Sequence, residues 1–191
     1  MLDPNQITNF NSTDNELQEV ILFWICVAGK NADTTARNLD RLLDSIDGFS
    51  PFEKIKKVGA GKLPQTLKKF GIGCYNNKAK SIWEMINSNL DLRTCLIEDL
   101  EGIYGIGPKT SRCFIIHTRR DAKCAGLDTH ILKFLRSKGH DVPKSTPSSK
   151  KQYKELEELF LKYTEESGQS IAEFDLGIWR YYANGHGIIT I

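Results

Sequence analysis

The sequence has no long apolar run and no stretch of alternating apolar and polar residues, and its histidines and cysteines are thinly spread. Without about 20 consecutive apolar residues there is no candidate membrane span. No charged-then-apolar leader opens the chain, so a soluble intracellular protein is expected. Without period-two alternation no strand is predicted, and the expected fold class is all-α. His117, His130, His140 and His186 share no metal-ligand spacing with one another or with a cysteine, which argues against a zinc site. The five cysteines (Cys26, Cys74, Cys95, Cys113 and Cys124) are odd in number and scattered, and three sit inside apolar segments. A reducing compartment is the simpler reading. No Ser–His pairing and no phosphate-binding P-loop is present.

What remains is ordinary globular material: 191 residues, 40% hydrophobic and 26% charged, enough to bury a core in one domain or two small lobes. The net charge of +2 conceals an asymmetry. Residues 54–80 hold eight lysines, including Lys56, Lys57 and Lys78, and no acid, whereas residues 155–175 hold six glutamates and one aspartate against Lys162. A polyanion is drawn to the first stretch and not to the second. The bland alternative is a solvated lysine surface.

Helical spacing recurs along the whole chain. Residues 16–28 are apolar nearly all round, the pattern of a buried central helix. Ser50-Pro51 reads as a cap followed by a first-turn proline. Residues 137–149 are rich in Gly, Pro, Ser and Lys and form the clearest loop. Residues 150–163 carry Tyr153, Leu156, Leu159, Phe160 and Tyr163 on one stripe, and residues 171–182 make the last helix. About ten helices are expected.

One stretch departs from this plain pattern: Ile103-Tyr104-Gly105-Ile106-Gly107-Pro108-Lys109-Thr110, followed by Leu127-Asp128-Thr129-His130. Two glycines permit a tight turn, and Pro108 fixes a helical φ where its missing N–H costs nothing. A helix, a Gly-x-Gly hairpin and a second helix aim bare backbone amides at one phosphate. Asp128 is well suited to cap the helix that follows it.

These segments resemble the helix-hairpin-helix, Gly/Pro-rich loop and aspartate signature of a DNA glycosylase superfamily. Gly73-Cys74-Tyr75-Asn76-Asn77-Lys78-Ala79 resembles a segment of endonuclease III, and Phe174-Asp175-Leu176-Gly177-Ile178-Trp179 resembles the final helix of the short archaeal-type 8-oxoguanine glycosylases. The resemblance implies two helical lobes flanking a cleft. Residues 14–126 form the lobe carrying the hairpin (103–110), and residues 1–13 plus 127–191 form the other. It implies a monomeric glycosylase with AP lyase activity, acting on duplex DNA that contains a damaged base, with 8-oxoguanine as the favoured substrate and an oxidised pyrimidine as the alternative. No cofactor is expected, and with no cysteine after Cys124 no iron–sulfur cluster is expected either.

The resemblance assigns Lys109 as the nucleophile for C1′ of the sugar, attacking as a free amine and forming a Schiff base that permits strand cleavage. The positive end of a helix dipole disfavours a further cation there, which helps. Asp128 assists deprotonation and stabilises the cationic sugar. Gly105, Ile106, Gly107 and Thr110, with Lys56, Lys57 and Lys78, bind DNA. Asp175 and Trp179, four apart on one helical face, line the base pocket, and Lys30 and Asn31 stand where relatives fill the gap left by the flipped base. The competing reading is a non-catalytic hairpin binder in which Lys109 only contacts phosphate. Relatives use a terminal lysine in base recognition, whereas this chain ends Gly187-Ile188-Ile189-Thr190-Ile191.

Overall fold

The computed structural model describes residues 2–184. Among them are ten α-helices, one short 3-10 turn (Pro4–Gln6) and no strand, so the all-helical expectation holds. None of the helices is long and apolar enough to cross a membrane.

The central element is α1 (Asp14–Val27), opened by a capping box in which Thr13 and Glu16 satisfy each other's backbone amides. Leu17, Val20, Ile21, Leu22, Phe23, Ile25, Cys26 and Val27 are all buried. A helix apolar round most of its circumference needs neighbours on several sides. They are α2 (Ala32–Asp44), α3 (Pro51–Val58), α5 (Tyr75–Asn87) and α7 (Pro108–Thr118), with α4 (Leu63–Lys69) packed on α5 and α6 (Ile97–Glu101) on α7. Beyond α7 come α8 (Thr129–Ser137), α9 (Lys150–Ser167) and α10 (Ile171–Asn184).

The apolar interior falls into two clusters. The first runs from Ile7 to Cys124 and is built on α1. The second runs from Ala125 to Ile178 and is centred on Phe134, whose ring meets Phe160, Tyr163 and Phe174 edge-on at centroid distances of 6.4, 5.3 and 5.5 Å. The N-terminal arm touches both sides. Ile7 is buried in the first core and Asn9 N–H donates to the His117 carbonyl, while the Arg180 guanidinium of α10 donates to the Asn5 carbonyl.

Phe134 is fully buried, so Phe134→Ala should cost about 3–5 kcal/mol by lost transfer energy and the cavity left behind. The urea midpoint should fall accordingly; an unchanged midpoint would mean that the second core does not depend on this ring.

Candidate active site

The hairpin is shaped by Gly105, which has φ +77° and whose missing Cβ makes room for the Ser81 hydroxyl of α5. Beside it Tyr104 is docked on α5: its N–H donates to Glu84 Oε1 (3.1 Å), and the Lys80 ammonium lies 3.7 Å from its ring centroid. Gly107 caps α7 without a side-chain acceptor, and Pro108 follows it. The first-turn amides of Lys109 and Thr110 therefore have no partner supplied by the cap, the arrangement that suits an anion.

Lys109 sits two residues into this helix, its amine 5.7 Å from the Trp24 ring centroid. Asp128 is brought towards it by the chain between α7 and α8. Leu127 N–H donates to the Ala125 carbonyl (3.1 Å), closing a three-residue turn around Gly126. A Cβ on Gly126 would overlap Cys113 Sγ and lie 3.2 Å from both Cys113 N and Lys109 O, so the turn rests directly on the α7 backbone. Asp128 then caps α8, Oδ1 accepting from His130 N–H (2.8 Å) and Ile131 N–H (2.9 Å). Capping and chemistry are compatible, because the two amides fix the carboxylate in place.

A cleft of about 550 Å³ opens here. It gathers six of the residues singled out from the sequence: Lys30, Asn31, Lys109, Asp128, Asp175 and Trp179. Burial pushes the Asp128 carboxyl above its ordinary range, and the nearby Asp175 carboxylate adds to this; the Lys109 amine, the capping hydrogen bond from Ile131 N–H and the charge of the nearby His130 ring oppose it. A carboxylate raised in this way is a better proton acceptor. Asp175 Oδ2 lies 3.3 Å from His117 Nε2, and the other ring nitrogen of His117 is 2.8 Å from the Thr8 hydroxyl. The His117 ring in turn stacks on Trp24 at 5.6 Å, with 11° between planes.

Other expected residues fall elsewhere. Lys78 is a correction: it is 5% exposed and donates to the Cys26 carbonyl, capping the end of α1. It lies inside the protein, not on the basic face, whereas Lys56 and Lys57 are exposed. Lys57 is engaged with Glu53 (3.1 Å) and the Asp47 carbonyl (2.9 Å). Ile106 is buried, its N–H spent on the Ile103 carbonyl, and the Thr110 side chain is buried as well. Asn31 Oδ1 caps α2 through Thr34 N–H (2.9 Å), and the Lys30 side chain lies against Gly73. The tail 185–191 lies outside the described residues. Sequence reasoning missed Trp24 and His117, which carried no signal beyond an apolar helix and an isolated histidine, and it missed the docking role of Tyr104.

A family model described as 8-oxoguanine DNA glycosylase matches residues 4–169. The 8-oxoguanine DNA glycosylase/AP lyase of Methanocaldococcus jannaschii is 26% identical over 183 residues, covering 91% of this chain and 86% of that protein. A protein of the same description from Thermotoga sp. (strain RQ2) is 38% identical over 77 residues, 39% of this chain and 36% of that one. Among solved structures, the M. jannaschii 8-oxoguanine glycosylase/lyase in complex with a 15mer DNA containing 8-oxoguanine superposes with a TM-score of 0.72 at 22% identity, over 97% of this chain and 89% of that one. The 8-oxoguanine DNA glycosylase of Thermotoga maritima gives 0.74 at 22% identity, over 96% and 88%.

The raised Asp128 carboxyl has a consequence for stability. Above its ordinary value of 3.8, the folded protein binds this proton more tightly than the unfolded chain, so ionisation costs stability as the pH rises. Asp128→Asn keeps the capping oxygen and removes that cost. The variant should melt higher than the parent at neutral pH, with the gap closing as the pH falls towards 3.8. Thermal denaturation across that range checks it, and a parent protein that is the more stable at neutral pH would contradict it.

Proposed function

The chain belongs to the 8-oxoguanine DNA glycosylase family, and from that membership we propose that it is a base-excision glycosylase with AP lyase activity, acting on duplex DNA that carries an oxidised purine. The observation that supports this most is the convergence of Lys109, Asp128, Asp175 and Trp179 on one cleft.

A base inside a duplex is out of reach, so it must first be extruded. The amides at Gly105 and Gly107 and those of the first turn of α7 hold a backbone phosphate, and Lys56 and Lys57 add charge along the duplex. Lys30 and Asn31, at the rim, stand beside the gap left in the stack. The extruded base stacks on Trp179 and offers its edge N–H groups to Asp175, which His117 orients from behind.

Lys109 Nζ then attacks C1′. Asp128 takes the proton that the Lys109 ammonium must lose to attack. As the C1′–N bond breaks, its electron pair leaves on the base, which picks up that proton, and the regenerated Asp128 carboxylate stabilises the positive charge on the sugar. Opening of the sugar ring gives the Schiff base, from which elimination of the 3′ phosphate cuts the strand. The two walls of the cleft come from the hairpin-bearing lobe and from the lobe built on α8–α10. Every group named comes from one chain, so a monomer suffices, working in whichever compartment holds the DNA.

Borohydride reduces a Schiff base to a stable amine, which gives the decisive assay. Incubation with duplex containing 8-oxoguanine and borohydride should yield a covalent adduct that is lost in Lys109→Gln. Normal duplex binding with no adduct across a broad panel of lesions would instead identify a non-catalytic hairpin binder.

The pocket makes a second demand. Trp179→Ala should slow excision of every accepted base, by the roughly 1–3 kcal/mol that stacking on an aromatic supplies. Asp175→Asn should change the ranking among bases while leaving adduct formation at a preformed abasic site intact, because that substrate has no base to read. Loss of abasic trapping in a folded Asp175→Asn protein would place base recognition elsewhere.

A further inference from the structure

The turn that delivers Asp128 is held by side chains from α9, not by secondary structure. Ala125 N–H donates to Glu157 Oε1 (2.9 Å), and the Ala125 carbonyl accepts from the Tyr153 hydroxyl (2.8 Å). The same hydroxyl accepts from Leu127 N–H (3.0 Å), and the Leu127 carbonyl accepts from the Thr146 hydroxyl (2.8 Å). Ala125, Gly126 and Leu127 are buried, where an unpaired peptide group is costly. Burial pushes the Tyr153 hydroxyl far above its ordinary range. It therefore stays protonated, as it must to donate to one peptide group and accept from the next.

The clamp is tied to the helix that carries the nucleophile. Arg112, three residues after Lys109, places Nε 2.7 Å from the Glu157 oxygen that holds Ala125, and its guanidinium lies 4.7 Å from the Tyr153 ring centroid. Its other arm reaches Glu101 Oε1 of α6 at 2.6 Å. Tyr153 and Glu157 are four apart and share one face of α9. Through them Asp128 and Lys109 are braced against a common support.

We propose that Tyr153 and Glu157 are positioning residues for the glycosylase reaction, which set Asp128 against Lys109 by clamping the turn at Ala125–Leu127. This rests on the assignment of Lys109 and Asp128 made above. Neither residue touches the cleft, so their effect should fall on the chemical step and not on DNA affinity. Misplacement of a reacting group by an ångström costs up to about a hundred-fold in rate; a loosened turn should cost about ten-fold.

The test measures three quantities in the full-length protein: the single-turnover rate of 8-oxoguanine excision, duplex affinity, and borohydride trapping at a preformed abasic site. Tyr153→Phe should lower the excision rate about ten-fold with affinity unchanged. Thr146→Val removes one bond to the turn from a loop residue that also borders the cleft, and should do the same to a smaller degree. Thr146→Ser, which keeps the hydroxyl, should restore the rate, and this pair remains informative if Tyr153→Phe does not fold. Glu157→Leu should be slow, and Glu157→Gln, which keeps an oxygen for Ala125 N–H, should recover most of the rate. A merely structural role would lower affinity and rate together and would not separate Gln from Leu at 157; that result overturns the clamp. Excision at the parent rate in folded Tyr153→Phe and Thr146→Val also overturns it. Trapping that survives in Lys109→Gln overturns the assignment on which the clamp rests, and is read independently of the other variants.

Discussion

The turn around Gly126 lies so close to α7 that a single added carbon would meet Cys113 Sγ and crowd the Lys109 carbonyl, and bringing Asp128 into the same cleft as Lys109 depends on that contact. Lys109 is fixed by the start of a helix, Asp128 by the cap of the next one, and the short segment between them has no regular structure of its own. Its backbone would be free to drift if Gly126 did not rest on α7 and if α9 did not hold the peptide groups on either side. A site needs its groups held within fractions of an ångström, and helix ends supported by a second layer of hydrogen bonds give that precision.

The same closeness sets the electrostatics. Two carboxylates, Asp128 and Asp175, share the cleft with the Lys109 amine and the His117 imidazole. Burial and mutual repulsion make it costly for Asp128 to ionise, and the amine offsets part of that cost. The His117 ring, set between Thr8 and Asp175, gives the second carboxylate a partner of its own. The two acids thus sit in different environments: one pushed up beside the amine, the other paired with a histidine. That is the division expected where one carboxylate handles a proton and its neighbour serves as a fixed hydrogen-bond acceptor. The arrangement costs stability at the place where chemistry is proposed.

Much of this was legible in the sequence because it is local. The apolar circumference of α1, the Ser50-Pro51 start of α3, the Gly-x-Gly-Pro hairpin and the cap at Asp128 are each written in a few adjacent residues. Lys78 was legible too, though misassigned. It stands one helical turn before Ile82 and two before Met85, both buried, so its position was inward even though its charge suggested the surface. Trp24 and His117 were not legible. A helix apolar nearly all round does not disclose which side borders a cleft, and the partners of His117 lie 109 and 58 positions away, at Thr8 and Asp175. The Tyr153 stripe was correctly inward, but pattern shows only that a tyrosine is buried, not that its hydroxyl bridges two peptide groups across the chain.

A last consequence comes from the economy of α7. Its first turn carries both the bare amides suited to a phosphate and Lys109, two residues beyond the Gly107 cap. On the proposed reaction, gripping the backbone and presenting the nucleophile are therefore done by one rigid unit. A phosphate seated on those amides fixes the sugar relative to Lys109 Nζ to within the play of a single side chain. Binding energy from the sequence-independent part of DNA then serves orientation at C1′, lowering the barrier as well as the dissociation constant. A hairpin displaced by even one turn along α7 would bind DNA as well and lose that coupling. The position of Lys109 in the motif therefore carries more mechanistic weight than the presence of the motif.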